Sequence, residues 1–217
     1  MPIIYSNVSN DDYTVCCMGQ TVYVYKKTGS ELARFTLVMA DFPVISPKGD
    51  IFAVKSKDGC LALYSFEKLA RTATLKFSDK ETPYEKGMCF SADGEKLYSI
   101  EYSAEGSTVM AYDMNGGKNE KISLGKAVSH IECGDALYVL GKDEKGFAAK
   151  ITDGQLTDIK YVSDEDYDFY YNYKCAEARG FSSAAMEAYL PKLHNVEDNQ
   201  TSISELWAKT TAEKVEE

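Results

Sequence analysis

The sequence predicts an all-β protein: an array of about four four-stranded antiparallel units over residues 1–176, followed by a short helical C-terminal extension over residues 177–217. Three observations carry that prediction. Sixteen Tyr and nine Phe in a chain of 217 residues that is 44% hydrophobic suit pleated, half-buried surfaces, and only five Pro argue against a low-complexity chain. Short apolar runs are punctuated by turns rich in Gly, Asp and Asn. The pattern of runs and turns then recurs at a nearly constant interval.

The units can be read in order. "NVSNDDYTVCCMGQTVYVYKK", Asn7 to Lys27, is strand, Asp11-Asp12 turn, strand, Gly turn, strand. "VISPKGDIFAVKSKDGCLALYSF", Val44 to Phe66, repeats the order with a Pro-Lys-Gly-Asp turn and an Asp58-Gly59 turn. "CFSADGEKLYSIEYSAEGSTVMAYDM", Cys89 to Met114, is the third copy, and "HIECGDALYVLGKDEKGFAAKIT", His130 to Thr152, the fourth with a shortened first turn. Their third strands close at Tyr25, Tyr64, Tyr112 and Ile151, spaced by 39, 48 and 39 residues. The nine extra residues fit surface loops around Ser78 to Lys86 and Ser103 to Gly106, where insertions are tolerated. A fourth alternating segment follows each copy: "SELARFTLV", "LARTATLKF", "NEKISL" and "QLTDIKYV".

Four strands in about forty residues is the unit of a propeller blade. One twisted sheet cannot cover both of its faces, and stacking it against like sheets around an axis buries them. The near-continuous apolar runs "VYVY", "IFAV", "LALY" and "LYVL" are what strands sandwiched between blades require. A β-sandwich or barrel of about sixteen strands would also show frequent turns, but it need not repeat their chemistry at a fixed interval. "FSADGEKLYSI" and "ISPKGDIFAV" are similar to the strand-turn-strand core of the WD-repeat and YVTN-like β-propeller families. The resemblance spans roughly Pro2 to Val162 and implies a propeller-like architecture. Trp-Asp and Gly-His signatures are absent, Tyr112-Asp113 being the sole aromatic-Asp pair at a third-strand end, so no functional residue is carried over.

Four blades sit at the lower limit for a ring, and closure must hide the first and last edges. Three routes are open: closure as four blades, a partial fifth blade after Val162, or two chains pairing their open ends. The aromatic alternation of "YDFYYNYKC", Tyr167 to Cys175, predicts a strand serving as a clasp. Beyond it, Phe181, Ala185, Tyr189 and Leu193 predict a helical stripe that Pro191 ends or kinks. Ser202 and Glu205 have capping-box spacing ahead of Ile203, Leu206 and Trp207, which predicts a second short helix.

The net charge of −10, from 34 acidic and 24 basic residues, gives no basic patch, so nucleic acid is not an expected partner. The N-terminus lacks a basic region ahead of its apolar run and no run approaches the roughly 20 residues that span a bilayer, so a soluble cytoplasmic protein with no membrane partner is expected. The six Cys lack a C-x-x-C pair and most sit inside apolar strand patterns, which reads as buried reduced thiols.

Chemistry-bearing residues are sparse. Asp164, Glu165, Asp166 and Asp168 offer oxygen ligands for Ca²⁺ but lack the Gly-punctuated spacing of a calcium loop, so a solvated acidic turn is preferred. His130 falls in an inner strand near the expected central channel, where a packed structural histidine is the simpler reading; His194 sits in a polar linker. Asp50, Asp93, Glu95 and Asp135 occupy equivalent turns and would line one rim, as solvated turn residues do. Leu206 and Trp207 are the candidate partner-binding residues, with self-docking onto the ring as the competing role. The preferred function is a non-catalytic protein-protein interaction scaffold, monomeric or dimeric by ring closure, with no cofactor or metal. The alternative is a metal-assisted propeller enzyme of the lactonase or lyase kind, with its site in the central channel.

Overall fold

The computed structural model describes residues 6–56, 59–76, 87–103, 106–179 and 202–210, with backbone alone at 102, 103 and 178. Sixteen strands form four separate sheets of four, each an antiparallel meander in chain order. Blade one holds β1 (Ser6–Ser9), β2 (Tyr13–Met18), β3 (Thr21–Lys26) and β4 (Glu31–Thr36). Blade two holds β5 (Asp41–Ile45), β6 (Ile51–Ser56), β7 (Cys60–Ser65) and β8 (Ala70–Lys76). Blade three holds β9 (Met88–Phe90), β10 (Lys96–Ser103), β11 (Gly106–Asp113) and β12 (Glu120–Ser123). Blade four holds β13 (Val128–Cys133), β14 (Leu137–Lys142), β15 (Gly146–Thr152) and β16 (Gln155–Tyr161). This is the propeller-like array that the repeats predict. Tyr25, Tyr64, Tyr112 and Ile151 occupy the same register, facing Thr14, Phe52, Leu97 and Leu137 on their second strands.

The repeated turns are alike in hydrogen bonding as well as in sequence. In blade two, Ser46 N donates to Ile51 O (2.9 Å) and Gly49 N to Ser46 O (2.8 Å); in blade three, Ser91 N donates to Lys96 O (2.8 Å) and Gly94 N to Ser91 O (2.9 Å). Gly49 and Gly94 both stand at φ 70, a left-handed conformation that a Cβ would strain. Successive turns touch: the Cβ position of Gly49 lies 3.5 Å from Asn10 Nδ2, and that of Gly94 lies 3.0 Å from Ser46 Oγ. These turns therefore run along one rim.

Three apolar layers hold the blades together. Val15, Cys17, Val22 and Val24 of blade one pack on Phe52, Val54, Ala62 and Tyr64 of blade two. Ala53, Leu61 and Leu63 on the other face of blade two pack on Phe90, Leu97 and Tyr112 of blade three. Ile100 and Val109 of blade three pack on Ile131, Val139 and Phe147 of blade four. Phe52 stacks on Tyr64 with centroids 4.8 Å apart, and Tyr13 on Phe66 at 4.1 Å. Each such pair contributes about 0.5–1.5 kcal/mol beyond its buried area. Covered on both faces, β7 is buried at every residue. Blade one differs: in β3, Val22 and Val24 are buried while Tyr23 and Tyr25 are half-buried, so "VYVY" alternates rather than being apolar throughout.

The last face is covered by helices rather than by a blade. Tyr138, Leu140 and Ala148 of blade four form one cluster with Val162, Tyr167, Tyr170, Ile203 and Leu206. Tyr167 and Tyr170 lie on α1 (Asp164–Ala178), and Ile203 and Leu206 on α2 (Ile203–Lys209). The expected strand at Tyr167–Cys175 is thus a helix. Ser163 caps it by accepting from Asp166 N (3.1 Å), and three acidic residues follow in the first turn, where the helix dipole favours them. Tyr167, Tyr170, Tyr171 and Lys174 recur three and four apart, and that spacing overrides the two-residue alternation of the aromatics. The clasp role survives in another form: α1 touches β13 and β15 as well as β1, and Asn7 Nδ2 donates to Arg179 O (3.3 Å).

Helix α2 carries the full capping box that its sequence predicts, with Ser202 Oγ accepting from Glu205 N (3.1 Å) and Glu205 Oε2 from Ser202 N (3.0 Å). The helical stripe from Phe181 to Leu193, His194 and the loop from Ser78 to Lys86 lie outside the described residues. No helix among the described residues is long and apolar enough to cross a membrane.

Candidate functional site

The innermost strands of the four blades meet α1 around a cleft of about 280 Å³. Asn7 and Val8 come from β1, Phe42 to Val44 from β5, Met88 and Cys89 from β9 with Gly87 just before it, His130 to Cys133 from β13, and Lys174 and Glu177 from α1. Blades two and three contribute apolar groups and backbone. The ionisable groups come from blade four and the helix, together with two thiols.

The wall on β5 is strained. Phe42 has φ 50, an unusual conformation for a bulky residue, in a bulge where the pairing slips between Asp41 and Val44. Asp41 Oδ1 stabilises it by accepting from Phe42 N (2.8 Å). Such strain costs about 1–3 kcal/mol and concentrates at ligand-binding positions.

The charged floor is an ion-paired network. Lys174 Nζ lies 2.7 Å from Glu132 Oε2 and 3.0 Å from Glu177 Oε2, with the Lys174 side chain only 12% exposed. Burial works to lower the Lys174 pKa, but the carboxylates of Glu132 and Glu177 outweigh it and hold it above its ordinary value. Glu132 Oε2 also accepts from Ile203 N (3.3 Å), which ties the site to α2. His130, buried on β13, hydrogen-bonds through Nδ1 with Ser129 Oγ (3.2 Å) and through Nε2 with Cys175 Sγ (3.6 Å), with the edge of Tyr171 against its ring. It lines the cleft and is hydrogen-bonded there, as the packed histidine that the sequence favours would be. Burial, then the nearby Cys133 and Glu132, push the Cys89 thiol well above its ordinary pKa, so Cys89 stays protonated.

Between blades two and three lie two buried charged residues that no sequence pattern singles out. Lys55, fully buried on β6, donates from Nζ to Ile100 O (3.0 Å) and Gly87 O (3.3 Å), pinning blade two to blade three. Glu101, also fully buried, accepts from Tyr112 Oη at 2.7 Å. Alternation hides such residues, because period two marks a face without saying what lies across it.

The remaining sequence candidates are dispersed. Asp164, Glu165 and Asp166 form the first turn of α1, with Asp168 just beyond; Asp164 pairs with Lys142 (3.0 Å) and Asp166 with Lys209 (3.6 Å). Among the described residues no group of three His, Cys, Asp or Glu side chains is placed to hold a metal ion. Asp93 accepts from Ser91 Oγ (2.5 Å) and Glu95 N (2.9 Å) within its own turn, and Asp135 from Tyr138 Oη (3.0 Å). Leu206 is fully buried against blade four. Trp207 is half-buried, with Lys160 Nζ 3.8 Å and Lys150 Nζ 3.9 Å from its ring centroid, and its indole N–H donates to Asp158 O (2.7 Å).

No family model and no curated protein matches the chain. Solved structures do resemble it. One is a protein of unknown function from Desulfotomaculum acetoxidans, with a TM-score of 0.57 and 13% identity over 74% of this chain and 56% of that one. Another, from Bacteroides uniformis, is provisionally described as a 6-phosphogluconolactonase, with a TM-score of 0.56 and 16% identity over 75% of this chain and 56% of that one. The chain thus spans a little over half the length of these neighbours. At such identities the likeness establishes the propeller-like fold and nothing further.

Proposed function

We propose that the protein is a non-catalytic interaction module whose channel-mouth cleft receives a short segment of another protein: an apolar side chain flanked by basic residues. The observation that carries the reading is the distribution of groups around the cleft. Two blades offer only Phe42, Pro43, Val44, Met88, Cys89 and backbone, while Glu132 is already paired with Lys174. A catalytic channel needs polar groups converging from several blades. The cleft volume, just below the 300–1,000 Å³ of small-molecule pockets, suits one or two side chains. The net charge of −10 and the exposed Glu177 at the rim favour a basic flank. A cytoplasmic setting belongs to the same reading, since all six cysteines are free thiols and cytosolic thiols stay reduced.

Leu206 and Trp207 enter this reading as a latch. A partner contact through their helix requires α2 to leave blade four, and deletion of the residues after Lys192 tests it: loss of partner binding with unchanged thermal stability supports an anchor role.

Selection from a displayed peptide library tests the cleft. Apolar-plus-basic peptides are expected to be enriched, with binding weakened about tenfold or more by Val44→Asp and by Glu177→Lys. Enrichment that neither substitution alters overturns the site. The enzyme reading rests on the fold shared with the Bacteroides protein. Acceleration of 6-phosphogluconolactone hydrolysis over the spontaneous rate, lost in Glu132→Gln, would replace the binding reading with it.

A further inference from the structure

Cys175 on α1 and His130 on β13 lie 45 residues apart in sequence, with Sγ and Nε2 separated by 3.6 Å. Which ring nitrogen carries the proton follows from the neighbours. Ser129 Oγ donates its single proton to Leu140 O (3.0 Å). It therefore acts as acceptor toward both other contacts, His130 Nδ1 at 3.2 Å and Tyr167 Oη at 3.5 Å. The neutral imidazole then holds its proton on Nδ1 and turns the Nε2 lone pair toward the thiol. A nucleophile, a base within reach, and a third group orienting the base are the parts of an activated thiol. The helix also leaves the thiol reachable: Cys175 is half-buried and Tyr171, one turn before it, is 39% exposed.

We infer that Cys175 is a base-activated thiol, a site of covalent modification by low-molecular-weight disulfides, with His130 as its base and Ser129 as the residue that positions that base. In the exchange the Cys175 S–H proton passes to His130 Nε2, and the thiolate attacks one sulfur of the small disulfide. A new S–S bond forms as the old one breaks, and the departing thiolate takes the proton back from Nε2–H. One disulfide and one thiol are consumed and one of each is produced, so no further oxidant is required. Cys16, Cys17 and Cys60 are buried, and burial holds the Cys89 thiol protonated.

The groups facing the pair are Tyr171, Lys174 and Arg179 on and just after α1, Ser129, Glu132 and Cys133 on β13, and Cys89 on β9. Among the described residues Lys174 is held by Glu132 and Glu177, Tyr171 shares a hydrogen bond with the Cys175 thiol, and His130 Nε2 is the imidazole nitrogen in contact with it.

Site-resolved mass spectrometry of the full-length protein, alkylated with iodoacetamide between pH 5.5 and 9.5, reads the effect. Cys175 is expected to titrate below the ordinary thiol value of about 8.5 and to react at pH 7 about tenfold faster than an ordinary thiol. Oxidised glutathione should form its first mixed disulfide there. His130→Gln should raise the midpoint toward 8.5 and slow the pH 7 rate by a similar factor, and Ser129→Ala should move both in the same direction by less. An unperturbed Cys175 midpoint in the wild-type protein overturns the inference. So does a first adduct on another cysteine, or a rate that both folded variants leave unchanged. If His130→Gln fails to fold, the wild-type profile and Ser129→Ala decide.

Discussion

Lys174 shows how much one partly buried charge depends on its partners. Its side chain is 12% exposed between Glu132 and Glu177, so removing one carboxylate leaves a cation in a site built for two anions. Glu132→Gln is expected to cost about 2 kcal/mol, below the 3–5 kcal/mol of a fully enclosed pair because Glu177 remains and water reaches the site. Chemical denaturation at pH 7 measures it. The folded pKa of Lys174 lies above its unfolded value, so the pairing contributes fully below pH about 10.4 and fades as pH rises through the folded value. The gap between wild type and Lys174→Met should therefore be constant through neutral pH and narrow in strong alkali. Constancy into strong alkali would show that Lys174 acts through packing alone. None of this was legible in the sequence, where Lys174 ends a run of aromatic residues and Glu132 lies 42 positions away.

At the level of elements, the covering of blade four separates what periodicity reveals from what it conceals. The capping box at Ser202 and Glu205 is a local signal, and α2 forms where it predicts. The segment from Tyr167 to Cys175 carries two overlapping signals, aromatic alternation and an i, i+3, i+4 pattern after a Ser cap, and the face available for burial decides between them. Leu206 is expected to dominate the docking of α2, and Leu206→Ala should cost about 2–5 kcal/mol. Because α2 is short, the loss should appear as local release before global unfolding. Trp207 is the only tryptophan, so its fluorescence reports the event directly: a red-shifted emission with an unchanged far-ultraviolet signal is expected. A blue-shifted, wild-type spectrum would mean that the Trp207 indole bond to Asp158 and the two lysines hold the helix without Leu206.

For the whole molecule, stability should follow the order of coverage. Strands β7 and β14 lie between apolar layers, whereas β4, β8 and β16 end their sheets and carry alternating exposure. Amide exchange should be slowest in β7 and β14 and fastest in the outer strands, with blade one, whose Tyr23 and Tyr25 face is only half-buried, opening before blade two. Uniform protection across all four blades would contradict that ranking. The sequence by itself determined the number of blades, the register of their third strands and the chemistry of their turns, because these depend on periods of two and of about forty residues along the chain. Only the tertiary structure decided that helices rather than a strand cover the last blade, and that Lys174 meets Glu132 and Cys175 meets His130. Those outcomes depend on which face is left uncovered once the blades have stacked, and on which side chains 42 and 45 residues apart the packing of α1 on β13 brings together.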